Sequence, residues 1–388
     1  MEEIIRLNRS DYPDVFALSQ FAFQYTLTED DLVKKAREAD RHDIWGYQID
    51  GKLAGKLHII PLEVMINGQK YTMGGISSVA TWPEYRRLGI AKKLLHHALV
   101  QMKEEGQVLA YLHPFLASFY RKYGWEFAFS RRHDYIPIEQ FKQSWKTKGT
   151  VKREERDASI LNDIYTIHSK RYNGMLIRDD LWWQQRVLTD RHMHVVYAYN
   201  EDGVAEGYMI YQVVDRVLTV KEMAYKNVNA LHLLYECIGN HDSMATHVKW
   251  TVPMNDLFPL VSTDPTYEQN EQQYFMTRIV LMKEFLKNYT YTLEDTHFAI
   301  NVEDDFFPEN SGVYEVEVTG GKANQVHQGN ETTSIVINSS IQYTTAMFLG
   351  YKRPNELYKT GLITGDEAAI HQLEKAIPRK QTYFQDFF

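Results

Sequence analysis

The chain has 388 residues, with 43 lysines and arginines against 51 aspartates and glutamates and a formal charge of −8. The mild acidity argues against non-specific nucleic-acid binding, a composition of 44% apolar and 13% aromatic residues excludes a disordered chain, and one cysteine excludes an internal disulfide framework and any multi-cysteine zinc or iron–sulfur site. That single thiol, an acidic opening (MEEIIRLNRSDYPD) without an apolar core and the lack of any run of ~18–20 apolar residues predict a cytoplasmic protein with neither signal peptide nor membrane span.

In chain order, Val15, Leu18, Phe21, Ala22 and Tyr25 follow helical spacing over 11–28, and a second helix is predicted over 30–39. Strands are predicted over 44–49 and 53–66, joined by the turn Asp50-Gly51, and over 71–81 up to Trp82-Pro83. After a turn at 84–89, Ile90, Leu94, Leu95, Ala98, Leu99 and Met102 form the apolar stripe of an amphipathic helix. It stops at Gly106, and 108–112 reads as a buried strand. Such an order describes an α/β domain built on a mixed sheet. The next region has the same flavour, with a Trp182-Trp183 helix assigned to packing, strands over 194–199, 207–214 and 217–224, a helix over 230–239 and a strand over 247–252. Beyond it come a helix over 282–288, strands over 312–318 and 333–337, helices over 345–349 and 366–376, and an aromatic end, Tyr383-Phe384-Gln385-Asp386-Phe387-Phe388. Three domains are predicted, at 1–145, 146–280 and 281–388.

The informative stretch is Ser78-Val79-Ala80-Thr81-Trp82-Pro83-Glu84-Tyr85-Arg86-Arg87-Leu88-Gly89-Ile90-Ala91, where a strand feeds a tight turn that opens a helix. The first-turn amides of a helix have no internal acceptor and carry partial positive charge, so a phosphate suits them. Gly89 allows close backbone approach, and Arg86 and Arg87 add full charges. Spacing alone fits a plain helix start with two solvated arginines equally well.

Arg86-x-x-Gly89-x-Ala91 resembles the (Arg/Gln)-x-x-Gly-x-(Gly/Ala) pyrophosphate loop of the GCN5-related N-acetyltransferases (GNAT), on the same pair of elements. Phe119-Tyr120-Arg121-Lys122-Tyr123-Gly124-Trp125 resembles that family's aromatic-Tyr-x-x-aromatic-Gly-aromatic stretch. Nearly the whole chain is similar in plan to the enhanced intracellular survival (Eis) acetyltransferases: two tandem GNAT-like mixed-sheet domains, then a sterol-carrier-like α/β domain whose tail enters the active site. The resemblance implies acetyl-CoA held by Val79, Ala80 and Thr81 and by Arg86, Arg87, Leu88, Gly89, Ile90 and Ala91. It further implies Tyr120 as general acid, the Phe388 carboxylate as general base or relay, and direct transfer to an aminoglycoside, polyamine or lysine amine. A homo-hexamer is also implied, and an acceptor pocket formed by the first two domains and the tail.

The second domain departs from the family, because its equivalent turn, Ala224-Tyr225-Lys226-Asn227-Val228-Asn229-Ala230, lacks the glycine and paired arginines. One acetyl-CoA per chain is therefore expected. No metal site is predicted: His96-His97 point to different faces of their helix. Glu303-Asp304-Asp305 reads as a solvated acidic turn, His113-Pro114 as a structural turn in preference to a lining of the pocket mouth, and Cys237 as inert core. Asp386 reads equally as an acceptor contact or a solvated tail residue. The competing function is a non-catalytic acyl-CoA or lipid-binding sensor that uses the same loop.

Overall fold

The computed structural model describes residues 1–330 and 335–388. Packing divides them into two compact units, one of Met1–Ala128, Tyr274–Arg379 and Asp386–Phe388, the other of Phe129–Gln273 and Lys380–Gln385. The chain runs through β1 (Glu2–Leu7), α1 (Tyr12–Phe23), α2 (Glu29–Ala39), β2 (Asp43–Ile49), β3 (Lys52–Ile66), β4 (Gln69–Thr81), α3 (Ile90–Glu104), β5 (Leu109–Leu112), α4 (Ala117–Arg121) and β6 (Glu126–Phe127). It continues through β7 (Ser130–Pro137), β8 (Thr150–Arg153), α5 (Ala158–Ser169), α6 (Asp180–Trp182), β9 (His194–Tyr199), β10 (Ala205–Val214), β11 (Val217–Tyr225), α7 (Val228–Gly239), β12 (His247–Val252), α8 (Phe258–Val261) and β13 (Glu268–Gln273). Last come β14 (Met276–Ile279), α9 (Met282–Asn288), β15 (Thr296–Glu303), β16 (Gly312–Thr319), β17 (Lys322–Gly329), β18 (Val336–Ser340), α10 (Ile341–Leu349), α11 (Pro354–Lys359), β19 (Ile363–Thr364) and α12 (Glu367–Ala376).

The first unit holds two sheets, ordered β1-β2-β3-β4-β5-β14-β6 and β17-β16-β15-β18-β19. Its hairpins follow from local chemistry. Asp50-Gly51 and Asn67-Gly68 each place both turn residues at positive φ, 49° and 75°, then 48° and 78°. Two-residue loops of that kind match the twist of the strands they join. On one face of the first sheet, the predicted stripe of α3 buries Leu94, Leu95, Ala98, Leu99 and Met102 completely. Tyr12, Val15 and Phe16 of α1 form a separate core with Leu7 and Ile44.

The second unit is a single sheet, ordered β13-β7-β12-β11-β10-β9-β8. β7 pairs there with β12 and β13, while β14 pairs with β5 and β6 in the first unit. Cuts at 145 and 280 therefore part strands from their sheets. β1, α5 and β15 were not predicted, and the strand expected at 333–337 is β18, with Thr333 and Ser334 outside the described residues. Trp182 and Trp183 are buried, as packing residues are. Among the described residues, no helix is long and apolar enough to cross a membrane.

Candidate active site

The site begins at a fork in the first sheet. β4 and β5 pair in parallel from Met73 and Leu109 to Ile76 and Leu112, where β5 ends. β4 continues through Ser77 to Thr81 with β3 still on its other side, Lys56 opposite Ala80 and Gly55 opposite Thr81. One edge of that segment thus has no strand partner among the described residues, and extended backbone with an open edge is a ready template for an amide-bearing chain. The register shifts between Lys56 and His58, and Ser78 in the resulting bulge takes φ of 54°. Bulges re-aim side chains next to functional sites.

Past Thr81 the chain makes a short 3-10 turn and enters α3 through Gly89, the N-cap, at φ 75°. A Cβ there would meet nothing within 4 Å, so the left-handed backbone rather than crowding calls for glycine. No side chain caps α3, and no acidic residue lies in its first turn. Its leading amides are therefore available to an anion, with Arg86, Arg87, Leu88 and Gly89 exposed around them. Ile90, 2% exposed, fixes the turn to the sheet: a Cβ on Gly55 would come within 2.8 Å of its Cγ2. Val79 and Thr81 are half-buried on the open strand, Ala80 is buried and Ala91 half-buried. These residues fit a pyrophosphate-bearing donor with a chain of amides.

Tyr120, on α4, is buried in the cluster that contains Ile76 and Leu112, the last rung before the fork. Burial pushes its phenol up to about 12. The turn after it is locked from below. Gly124 has φ of 87°, and a Cβ on it would lie 2.5 Å from Arg278 Nη1, which donates to the Tyr123 carbonyl at 2.5 Å. Arg278 also pairs with Asp304, both side chains fully buried, and Asp304 accepts from the Phe307 amide at 3.0 Å. The solvated acidic turn expected at 303–305 is corrected here: Glu303 and Asp305 are exposed, but Asp304 turns inward to neutralise a buried guanidinium.

Phe388 is 6% exposed, and its ring lies on β4, where a Cβ on Gly75 would come within 2.8 Å of its Cε2. Phe275 packs against it at 5.1 Å, and His113 packs on Phe387 at 5.3 Å. Tyr274 donates to the Asp386 carbonyl at 2.8 Å, and Asp386 is buried rather than solvated. His113 is thus a tail contact as well as a turn. Sequence reasoning missed Gly75, although a glycine pair inside a strand is a signal of close approach.

The second unit repeats the fork without the loop. β11 and β12 pair only from Val217 and His247 to Thr219 and Lys249. The Asn227 side chain caps α7 by accepting from Ala230 N at 2.9 Å, and its amide donates to Glu206 at 2.8 Å. The helix start is already satisfied and has a carboxylate beside it, the opposite of α3. The tail is held in this unit: Gln381 and Tyr383 hydrogen bond the Asn173 backbone at 2.8 and 3.0 Å, and the Tyr383 hydroxyl reaches the Thr251 carbonyl of β12 at 3.4 Å. Cys237 belongs to this unit, with its thiol pushed up to about 11 by burial.

Residues 3–128 and 174–279 match family models described as acetyltransferase (GNAT) domains, and 282–385 match a sterol carrier protein domain. No curated protein sequence matches. Among solved structures, a conserved protein of Enterococcus faecalis V583 described as a probable N-acyltransferase has 26% identity and a TM-score of 0.93, with 100% of both chains covered. A GCN5-related N-acetyltransferase from Anabaena variabilis has 21% identity and a TM-score of 0.90, again over 100% of both. Eis1 from Mycobacterium abscessus has 18% identity and a TM-score of 0.83 over 100% of both, a likeness of fold.

Proposed function

Because the chain belongs to the GCN5-related N-acetyltransferases, in the Eis-like form that adds a sterol carrier domain, we propose that it transfers acetyl from acetyl-CoA directly to an amine, at one centre per chain. The observation that carries this reading is the fork of β4 and β5, which has an uncapped, basic helix start at one end, the Phe388 ring against Gly75, and Tyr120 buried in the same core cluster as Ile76 and Leu112. The open edge at Val79, Ala80 and Thr81 would pair with the donor's amides. Arg86, Arg87 and the amides from Leu88 to Ala91 would hold its pyrophosphate, and fixing the donor supplies rate chiefly through orientation.

Tyr120, which burial keeps protonated, would donate the proton to the departing thiolate. The Phe388 carboxylate attracts a cationic acceptor and receives its proton. No covalent intermediate is needed, and the half-buried Cys237 thiol, pushed up by desolvation, is a poor nucleophile. Aminoglycoside, polyamine and lysine amines are the acceptor classes, and the working form is a cytoplasmic homo-hexamer.

Calorimetry with acetyl-CoA tests the donor half. One site per chain is expected, since Asn227 and Glu206 close the second helix start. Arg87→Ala should weaken binding by about 1.5–3 kcal/mol, the scale of a charge-assisted hydrogen bond. A stoichiometry of two, or an Arg87→Ala protein that binds as the parent does, contradicts the assignment.

A further inference from the structure

Beneath the bulge of β4 lies a polar cluster that the mechanism above does not use. Lys56 on β3 is completely buried, and its Nζ contacts Ser19 Oγ at 2.7 Å, Ser78 Oγ, and His58 Nε2 at 3.3 Å. Among the described residues it has no carboxylate partner, and burial alone pushes its ammonium down to about 7. His58 Nδ1 in turn lies 3.1 Å from His42 Nδ1, and His42 is half-buried at the start of β2. Near the cluster lie Tyr25, hydrogen bonded to Ser19, and Glu38 on α2, whose charge acts on Tyr25 and which pairs with Lys35 at 2.8 Å.

The hydrogen count gives the cluster a direction. A lysine ammonium has three hydrogens and no acceptor, so all three contacts of Lys56 are donations. His58 then accepts at Nε2, carries its hydrogen on Nδ1 and donates to His42 Nδ1, which leaves the His42 hydrogen on Nε2. Ser19 donates to the Val15 carbonyl at 3.0 Å, so the Ser78 hydroxyl hydrogen is the one not claimed inside the cluster at normal distance. Burying an ammonium among neutral partners is costly where a methionine would fill the same space. Packing therefore does not account for Lys56.

We propose that Ser78, Lys56, His58 and His42 form a proton path from the bulge of the donor strand to the surface, one that carries away the proton released by each acetyl transfer. The proposal rests on the acetyltransferase reading. When an ammonium acceptor forms its N–C bond and the C–S bond breaks, nitrogen gives up two protons; one goes to the thiolate and one must leave. A neutral Lys56 takes that proton, once the Phe388 carboxylate releases it, through the Ser78 hydroxyl and hands it to His58 Nε2. His58 releases its Nδ1 hydrogen to His42 Nδ1, and the half-buried His42 passes its Nε2 hydrogen outward.

The test uses Lys56→Met and His58→Gln in the full chain; glutamine keeps hydrogen bonds at both ends but cannot exchange tautomers. Each is expected to lower kcat about tenfold or more, leave acetyl-CoA affinity unchanged, and recover as imidazole buffer is raised, since a small buffer can replace a blocked path. Unchanged kcat, or a loss that buffer does not restore, overturns the proposal. Nitrogen NMR of the resting protein gives a readout independent of turnover: His58 with its hydrogen on Nδ1 is expected, and on Nε2 contradicts the path. If the parent protein acetylates no amine while the tautomer is as expected, the acetyltransferase reading fails rather than the hydrogen-bond assignment.

Discussion

Asp304→Ala is expected to destabilise the first unit by about 3–5 kcal/mol, the cost of leaving a buried charge without its partner. Arg278 has no exposed side-chain surface, and burial depresses its guanidinium. Asp304 also receives the Phe307 amide at 3.0 Å and Asn310 Nδ2 at 3.3 Å, so alanine orphans three donors together. The effect should reach the site, because Arg278 Nη1 holds the Tyr123 carbonyl in the turn that follows Tyr120. Denaturant unfolding checks the first claim. The double change to Arg278→Met and Asp304→Leu should recover much of the loss, since well-packed apolar pairs replace buried ion pairs at little cost. An Asp304→Ala protein with an unchanged midpoint would show that the pair is dispensable.

Tyr120→Phe should lower kcat about a hundredfold or more while acetyl-CoA binds as before, the signature of a lost proton donor. The ring fills the cluster with Ile76 and Leu112, and phenylalanine keeps that packing. Since burial pushes the phenol up to about 12, it stays protonated through neutral and mildly alkaline pH. The alkaline limb of the pH–rate profile should therefore not report its ionisation below about 11. Steady-state kinetics beside donor calorimetry makes the comparison. Equal loss of binding and turnover would assign the phenol a structural role.

The elements on either side of the loop at 86–91 were legible because each has a local cause. Asp50-Gly51 announces a hairpin, the stripe from Ile90 to Met102 announces a helix, and Gly89 marks the left-handed residue between strand and helix. The placement of β14 was not legible. Its four residues, Met276 to Ile279, are all buried and show no alternation, and their partners at 109–112 lie far back in the chain. Lys56 was equally hidden, because a lysine in a strand reads as a solvent-facing residue until α1 is known to cover that face. In the run 303–305 only the fold decides which carboxylate turns inward. At the second helix start, Asn227 three residues before Ala230 carried a capping signal that was passed over.

The measurement that tests the central claim most directly is acetyl-CoA-dependent thiol release across a panel of amines, aminoglycosides, polyamines and lysine peptides included, on protein ending at Phe388 and on protein extended beyond it. The expected result is release that requires a particular amine and falls sharply when the terminal carboxylate is moved by the extension. Saturable donor binding without amine-dependent release anywhere in the panel would contradict the account and point to a sensor of acyl-CoA.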